Sequence, residues 1–407
     1  MTDFDTLLAE YTDKAHPKVH GVICKAVDRT GKEIYSKTSG SISLAPDAAP
    51  LNDDAVLKLA SATKLITSIA LLQCIERGQI KSLDEPLTTI LPEFDGIQIL
   101  KTVTESSEFI YEPTNTPITA RHLLSHTSGM GYRFTHPLLG KRAEYLDKLR
   151  GGRRTFKVTE RYNLPLIYEP GQGWWYGCSL DWAGVAVSRL NGGMTLEEYF
   201  VKYIWTPLGL QEPWPRFNIG RYPEYEARIL HGAKRVVDAD TGKERLEECD
   251  TWAFDNPEDQ DGGSGLSSTA KDFVAVLADL VSSNPVLLKE GTIKEMFSPQ
   301  MPANGPGVEM LLKLKVAWDA VAGPISPEYV NHGLGGLLCT GPVPEIKQPA
   351  NTLAWGGATN VIWWANREHG VAGLFATQQA PFGNETVNGL VNAWKRDFWT
   401  RFEAMQG

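Results

Sequence analysis

The sequence predicts an α/β (α+β) fold in which both ends of the chain build one antiparallel sheet around an inserted helical segment. Two alternating runs, 19–27 and 32–39, are joined by a turn at Gly31, which is typical of a β-hairpin. A second pair of apolar runs, 361–365 and 371–378, flanks a polar turn near the other end. Strands at both ends favour one shared domain, because a sheet needs partners that bury its apolar face.

Helices complete the predicted architecture. Amphipathic patterns at 2–15 and 385–405 predict helices that flank the sheet at the two ends of the chain. The middle of the chain reads mostly as helices and loops. We therefore predict an α/β domain from 1–90 and 210–407, a mostly helical insertion at 91–209, and an active site between them.

Composition narrows the class of protein. Hydrophobic residues make up 42% and charged residues 22%, as in a globular protein with a sizeable core. A net charge of −9 disfavours general binding to nucleic acid. Because no export signal and no run of about 18 apolar residues is present, we expect a cytoplasmic protein without a membrane span. The five scattered cysteines are expected to be free thiols.

The first candidate for chemistry is Ser61 with Lys64, an S-x-x-K at the start of an apolar helix predicted over 61–77. Positions i and i+3 share a helix face, so the lysine amine can reach the serine hydroxyl and activate it for acyl transfer. Free N–H groups at a helix start can also stabilise an oxyanion. Ordinary helix capping followed by a surface lysine is the alternative.

Other signatures are absent. A G-x-S-x-G elbow fails at the last position of 262–266, and no dinucleotide or P-loop fingerprint occurs. His122 and His126 stand at i and i+4 without the glutamate of a zinc protease, and a histidine at a helix end has an easier structural explanation. The sequence therefore predicts neither a metal site nor a cofactor.

The second candidate is Tyr176, which follows Trp174 and Trp175 and precedes a predicted helix over 180–190. A loop tyrosine beside a cation such as Lys64 can exchange protons near neutral pH. The alternative is a packed aromatic residue whose hydroxyl finds an ordinary partner.

The third candidate is the segment 355–358, placed at the start of a C-terminal strand. Gly356 and Gly357 allow close approach of a ligand, and an edge strand offers unpaired N–H groups to an oxyanion. A bulge or turn is the alternative. Six residues here and near Tyr176 are predicted to bind an apolar substrate: Trp174, Trp175, Trp355, Gly356, Gly357 and Trp363.

The S-x-x-K at Ser61, the loop residue Tyr176 and the glycine-rich segment 355–358 occur in the order seen in the serine β-lactamase and penicillin-binding-protein superfamily. The chain resembles the class C-like esterase and transesterase branch of that superfamily. The resemblance spans nearly the whole chain. Further matching blocks lie at 72–78, 121–129, 136–139, 176–184 and 333–336.

The resemblance implies a β-lactamase/transpeptidase-like fold and an acyl-serine mechanism. Ser61 would be acylated, Lys64 would hold or accept its proton, and Tyr176 would carry protons to the leaving group and from the acceptor. Backbone N–H groups of Ser61 and Ala358 would form the oxyanion hole.

By the same resemblance, the protein is expected to be an acyltransferase (transesterase). It would move a short acyl group from a thioester or ester to a hydroxyl of a hydrophobic, polyketide-like secondary metabolite. If water deacylates Ser61 instead, the same residues make a carboxylesterase. A non-catalytic binding protein is a remote alternative that the intact Lys64 and Tyr176 disfavour.

Two departures from the class C pattern argue against efficient β-lactamase activity. Cys178 stands where the tyrosine motif has an asparagine, and Trp355-Gly356-Gly357 replaces the K-T-G strand.

A basic segment at 141–161 carries a local charge of +5, with eight basic residues against three acidic ones. A solvated loop is the simpler interpretation. The sharper one is a docking site for an acyl carrier protein or a CoA thioester.

Overall fold

The computed structural model describes residues 3–153, 155–238, 242–250 and 259–406. Its strands, in chain order, are β1 (Gly21–Asp28), β2 (Glu33–Gly40), β3 (Val56–Lys58), β4 (Gln98–Val103), β5 (Phe109–Pro113), β6 (Arg216–Phe217), β7 (Ala233–Val237), β8 (Glu244–Glu248), β9 (Leu266–Thr269), β10 (Val330–His332), β11 (Leu337–Cys339), β12 (Thr352–Gly357), β13 (Val361–Asn366), β14 (Val371–Ala376) and β15 (Gln379–Ala380).

Helices surround these strands. They are α1 (Phe4–Tyr11), α2 (Thr63–Glu76), α3 (Ala120–Leu124), α4 (Pro137–Leu149), α5 (Val158–Arg161), α6 (Ser179–Leu190), α7 (Leu196–Phe200), α8 (Pro223–Glu226), α9 (Ala270–Val281), α10 (Glu290–Met296), α11 (Pro306–Lys313), α12 (Asp319–Ala322) and α13 (Glu385–Gln406).

Among the described residues, seven strands form the central antiparallel sheet in the order β10-β11-β12-β13-β14-β1-β2. Both predicted hairpins are present, and β14 pairs with β1 so that Ala376 lies opposite Ile23. The two ends of the chain therefore share one sheet, which confirms the predicted fold class.

The two faces of this sheet are covered by different helices. Trp364 packs against Trp394 and Trp399 of α13, and α1 contacts both α13 and β2. Helix α9 contacts β1, β13 and β14, and strand alternation assigns it to the opposite face. Large aromatic side chains thus fill the layer between the sheet and the C-terminal helix.

Helix α2 lies at the centre of the core, as predicted. Most of its residues are buried, and it packs against α6. It ends where Gly78 adopts a φ of +73° and its N–H donates to the carbonyl of Ile75 at 2.9 Å. Helix α2, which directly follows the candidate nucleophile Ser61, is therefore held in place along its whole length.

One strand differs from its prediction. The segment 355–357 ends β12 instead of starting a strand, and β12 lies inside the sheet between β11 and β13 instead of at an edge. The prediction was wrong because β11 is three residues long, and so short a run leaves no alternating pattern to identify it as the covering strand.

The segment 91–209 contains α3 to α7 and also the hairpin β4–β5. The hairpin was not predicted. In the part of the chain that the structure describes, no helix combines the length and apolar character needed to cross a bilayer.

Candidate active site

Ser61 lies in a 3₁₀ turn, Ala60–Ala62, that leads directly into α2. Strand β9 holds this turn on both sides. The carbonyl of Leu266 accepts the N–H of Leu59 at 3.0 Å, and the N–H of Leu266 donates to Thr63 Oγ1 at 3.1 Å. Ala60 adopts a φ of +46°, an uncommon conformation for a residue with a side chain. The surrounding structure thus imposes the backbone that presents Ser61.

Three predicted residues meet at one hydroxyl. Lys64 Nζ lies 3.3 Å from Ser61 Oγ, and the hydroxyl of Tyr176 donates to Ser61 Oγ at 2.5 Å. Lys64 Nζ also lies over the Tyr176 ring, 4.8 Å from its centroid. Tyr176 comes from the loop before α6, so the packing of α6 on α2 brings the tyrosine to the serine.

Lys64 has two further partners that the sequence analysis missed. Its amino group donates to the carbonyl of Gly263 at 2.7 Å and contacts the Tyr132 hydroxyl at 3.2 Å. The Tyr132 hydroxyl in turn donates to Asp181 Oδ2 at 2.8 Å. A signal for Asp181 was present, since it is an acidic residue between Leu180 and Trp182 on an apolar helix.

Buried charges surround this group. Burial raises the pKa of Asp181, and the charges of Lys64 and Arg161 oppose that shift. Burial and the neighbouring Asp181 raise the pKa of Asp261 to about 7, and Asp261 forms an ion pair with Arg161. Burial, followed by Asp181, also raises the pKa of Tyr132 well above its usual value. Two basic and two acidic side chains are thus enclosed beside the candidate nucleophile.

Two buried histidines lie behind Tyr176. The His126 ring centroid is 5.0 Å from that of Tyr176 and 5.7 Å from that of His332. Burial lowers the pKa of His126 well below its usual value and that of His332 to about 4, so both rings are neutral at pH 7. His122 instead accepts the N–H of Thr119 at the start of α3. Within the described residues, no cluster of three metal-ligating side chains occurs.

The glycine-rich strand end approaches Ser61 closely. A Cβ on Gly357 would overlap the carbonyl oxygen of Leu59 and lie 3.2 Å from Ala60 Cβ. Ala358 follows in an exposed turn, and its N–H has no hydrogen-bond partner among the described residues. These facts support the predicted oxyanion hole, which stays a prediction.

The predicted substrate-binding residues fall into different environments. Trp355 packs against Tyr176 with a centroid distance of 5.4 Å, and Trp174 packs against His126 at 6.0 Å. The indole N–H of half-buried Trp175 donates to Thr135 Oγ1 at 3.1 Å. All but Trp175 are buried, and none of the six lines the cavity next to Tyr132: Trp174, Trp175, Trp355, Gly356, Gly357 and Trp363. Contact of these residues with substrate stays a prediction.

That cavity has a volume of about 180 Å³. Phe134, whose ring is stacked on Tyr132 at 5.0 Å, is 77% exposed. Seven of the thirteen lining residues are aromatic or aliphatic: Tyr132, Phe134, Ala143, Leu146, Phe156, Tyr162 and Leu164. Five are charged: Arg133, Asp147, Arg150, Glu160 and Arg161.

Cys178, at the position of the class C asparagine, is buried and its thiol donates to the carbonyl of Gly131 at 3.6 Å. It therefore offers no polar group to a substrate.

The basic segment is a solvated loop only in its middle part, at 150–153 and 155–157. Residues 141–149 belong to α4, and Arg161 is buried against Asp261. Arg150 and Lys157 lie near acidic side chains, and the Arg142 guanidinium lies over an aromatic ring. Arg154 lies outside the described residues. Among the described residues of 141–161, the exposed cations without an ion pair are Lys141, Lys148 and Arg153.

A serine contacted by a lysine and a tyrosine, at the start of a buried helix beside an antiparallel sheet, defines a serine enzyme of the acyl-transfer class. The chain belongs to the β-lactamase family, which it matches over residues 14–393, within the serine β-lactamase and penicillin-binding-protein superfamily.

Relatives and solved structures narrow this further. The chain is 60% identical over 423 residues to the acyltransferase calJ of Penicillium decumbens, covering 100% of this chain and 99% of that protein. It is 34% identical over 405 residues to the lovastatin esterase of Penicillium rubens, covering 96% of each. Unliganded simvastatin synthase (LovD) from Aspergillus terreus has a TM-score of 0.82 at 27% identity, covering 99% of this chain and 98% of that one. The fold is thus of the β-lactamase/transpeptidase type.

Proposed function

We propose that the protein is a serine acyltransferase that works through an acyl-Ser61 intermediate. The observation that carries this proposal is the contact of Ser61 Oγ with both Lys64 Nζ and the Tyr176 hydroxyl. A buried amine and a phenol on one hydroxyl can supply both the proton acceptor and the proton donor of acyl transfer.

In the first half-reaction, Ser61 Oγ attacks the carbonyl carbon of the donor and its proton passes to Lys64. The N–H groups of Ser61 and Ala358 stabilise the oxyanion. Tyr176 protonates the leaving group as the donor bond breaks, which leaves a phenolate beside the Lys64 ammonium. Opposite charges in contact lower the energy of both groups.

In the second half-reaction, the hydroxyl of the acceptor attacks the acyl carbon and gives its proton to Tyr176. When the tetrahedral intermediate collapses, Lys64 returns its proton to Ser61 Oγ. The free enzyme is restored and the acyl group has moved to the acceptor.

The proposed acceptor is a hydroxyl of a hydrophobic, polyketide-like secondary metabolite, and the acyl group is short. The apolar cavity beside Tyr132 supports an apolar ligand. The similarity to a lovastatin esterase and to simvastatin synthase supports this substrate class.

The proposed donor is a thioester or ester, presented by an acyl carrier protein or as a CoA thioester. Lys141, Lys148 and Arg153 are exposed cations on and just after α4, and they can meet an acidic or phosphate-bearing donor.

A carboxylesterase is the second candidate function. It is supported by the 34% identity to a lovastatin esterase, which covers nearly the whole chain. Water in place of the acceptor hydroxyl needs no change in the residues around Ser61.

The test follows the intact mass of the full chain after incubation with butyryl-CoA. An acyl adduct that is absent from Ser61→Ala, persists in buffer and clears when polycyclic alcohols are added supports the transferase. An adduct that clears equally fast in buffer identifies an esterase. An adduct of the same yield on Ser61→Ala would overturn both functions.

A further inference from the structure

The amino group of Lys64 has three neighbours, which match the three positions of a tetrahedral amine. Its side chain is buried, and Nζ lies 3.3 Å from Ser61 Oγ, 3.2 Å from the Tyr132 hydroxyl and 2.7 Å from the Gly263 carbonyl. How the hydrogens of Lys64 are shared among these neighbours decides what Lys64 presents to Ser61.

Asp181 controls two of the three contacts. Its Oδ2 accepts the Tyr132 hydroxyl at 2.8 Å, and its Oδ1 accepts the N–H of Gly263 at 3.3 Å. A tyrosine hydroxyl has a single hydrogen. Because that hydrogen is given to Asp181, Tyr132 can only accept a hydrogen bond from Lys64. The Gly263 carbonyl is also an acceptor, and its own N–H ties the same residue to Asp181.

Both acceptors therefore take an N–H of Lys64. A neutral amine has two hydrogens and one lone pair. With both hydrogens committed, the lone pair is left facing the third neighbour, Ser61 Oγ. When Lys64 is protonated, the hydrogen it has gained lies on the same side and can be returned to the serine.

We propose that Asp181 and Tyr132 are positioning residues that fix the hydrogen-bond directions around Lys64 so that its proton-accepting side faces Ser61. This proposal rests on the proposed function, in which Lys64 accepts the Ser61 proton.

Several charged or titratable groups face this pair and bear on its pH dependence. Around Asp181 they are Lys64, Arg161, Tyr132, Asp261, Tyr162 and Cys178. Around Lys64 they are Tyr132, Tyr176, His126, Cys178 and Asp181. Burial raises the pKa of Asp181, and the lysine and arginine charges lower it.

The experiment measures the rate of Ser61 acylation by p-nitrophenyl butyrate, from the burst phase, in full-length Tyr132→Phe, Asp181→Asn and the double variant. Each single change should slow acylation by about 10- to 100-fold with little change in KM, because it disturbs orientation and not substrate binding. The double variant should be no slower than the slower single variant, since both act through the same hydrogen bond.

Tyr35→Phe is the matched control. It also removes a buried tyrosine hydroxyl that donates to a carboxylate, here Asp397 Oδ2 at 2.8 Å, and no hydrogen bond joins it to Lys64. Its acylation rate should equal that of the wild type.

The pH profile separates positioning from a structural role. Acceptors of an ammonium hydrogen favour the charged form of an amine, so the loss of an acceptor favours the neutral amine that takes the Ser61 proton. The acid limb of the acylation profile should move to lower pH in Tyr132→Phe, and further in Asp181→Asn. Tyr132→Phe by itself should show this shift of the acid limb, so the proposal can be tested even if Asp181→Asn fails to fold.

An unmoved acid limb, multiplicative losses in the double variant or an equal loss in Tyr35→Phe would overturn the proposal. Failure of the wild type to acylate Ser61 would instead overturn the proposed function.

Discussion

At the scale of single residues, Ser61 reaches its partners from a tight turn and not from the body of a helix. The sequence predicted a helix that begins at Ser61, and the structure places this residue in the 3₁₀ turn Ala60–Ala62. The contact with Lys64 survives because residues i and i+3 also lie together in a 3₁₀ turn.

Tyr176→Phe tests the proton carrier. Removal of its hydroxyl leaves the ring packed against Trp355 but deletes the hydrogen bond to Ser61 Oγ. We expect acylation by p-nitrophenyl butyrate to slow by about 10²–10⁴-fold, as for loss of a general acid or base. Tyr145→Phe, a change on the half-exposed outer face of α4, is the control. Full activity in Tyr176→Phe would remove the tyrosine from the mechanism.

His126→Asn tests the ring behind Tyr176. Asparagine tolerates the φ of +58° at this position, so the turn is kept while the contact with Tyr176 is lost. We expect the rate of acylation to fall by about tenfold through looser placement of the tyrosine. Because burial holds the pKa of His126 well below its usual value, the wild-type pH–rate profile should show no limb from this group near pH 6.5. A limb there that disappears in the variant would contradict a neutral His126.

At the scale of elements, the site forms where pieces distant in sequence meet. The turn before α2 is held by β9 and approached by the end of β12, while the loop before α6 supplies Tyr176. Residues from 1–90 and 210–407 thus face residues from 91–209, which supports the predicted site between two domains. The domain boundaries themselves stay a prediction.

Gly357→Ala tests the approach of β12 to the Ser61 turn. An added methyl group would overlap the carbonyl of Leu59, so strand and turn must separate. We expect lower stability, by about 1–3 kcal/mol, and slower acylation, because overpacking moves the backbone next to Ser61.

Gly389→Ala is the matched control for this change. A Cβ at Gly389 meets no atom within 4 Å, and the residue lies in α13. We expect it to raise stability by up to about 1 kcal/mol through helix propensity, with unchanged activity. Urea unfolding measures the stability of both variants. Equal stability of Gly357→Ala and Gly389→Ala would contradict the close approach of β12 to the Ser61 turn.

At the scale of the whole molecule, the core encloses an amine that the proposed reaction does not use. Lys395 of α13 is buried, and its Nζ donates to the carbonyl of Val321 at 2.6 Å and to Gln348 Oε1 at 3.2 Å. Burial lowers the pKa of Lys395 to about 8, while Cys339 acts in the opposite direction. Protonation of this amine therefore opposes folding.

Lys395→Met tests this through the pH dependence of stability. Between about pH 8 and 10.5 the unfolded chain holds the lysine proton and the folded chain has released it, so wild-type stability should rise with pH. The shift corresponds to roughly 3 kcal/mol across the window. Lys395→Met should lack this slope. Parallel stability curves for the two proteins, from urea unfolding at pH 7 to 10, would contradict a depressed pKa.

The shared sheet, the hairpins at both ends, the buried helix after Ser61 and the candidate residues Ser61, Lys64 and Tyr176 were predicted from sequence. Each leaves a local signal: alternation in strands, apolar periodicity in a helix, and fixed spacing in a motif. Strand β11 and the turn at Ser61 were missed because segments of three residues are too short to show a period.

The sequence by itself determined the fold class and singled out Ser61 as the candidate nucleophile, since short-range patterns point to both. The tertiary structure alone decided what surrounds Lys64. The hydrogen bonds that join Lys64, Tyr132, Asp181 and Gly263 link residues 49 to 199 positions apart in the sequence. Hydrogen bonds across such separations depend on how α2, α6 and the loop before β9 pack. No local sequence pattern indicates that packing, so the hydrogen bonds that orient Lys64 can be identified only in the folded chain.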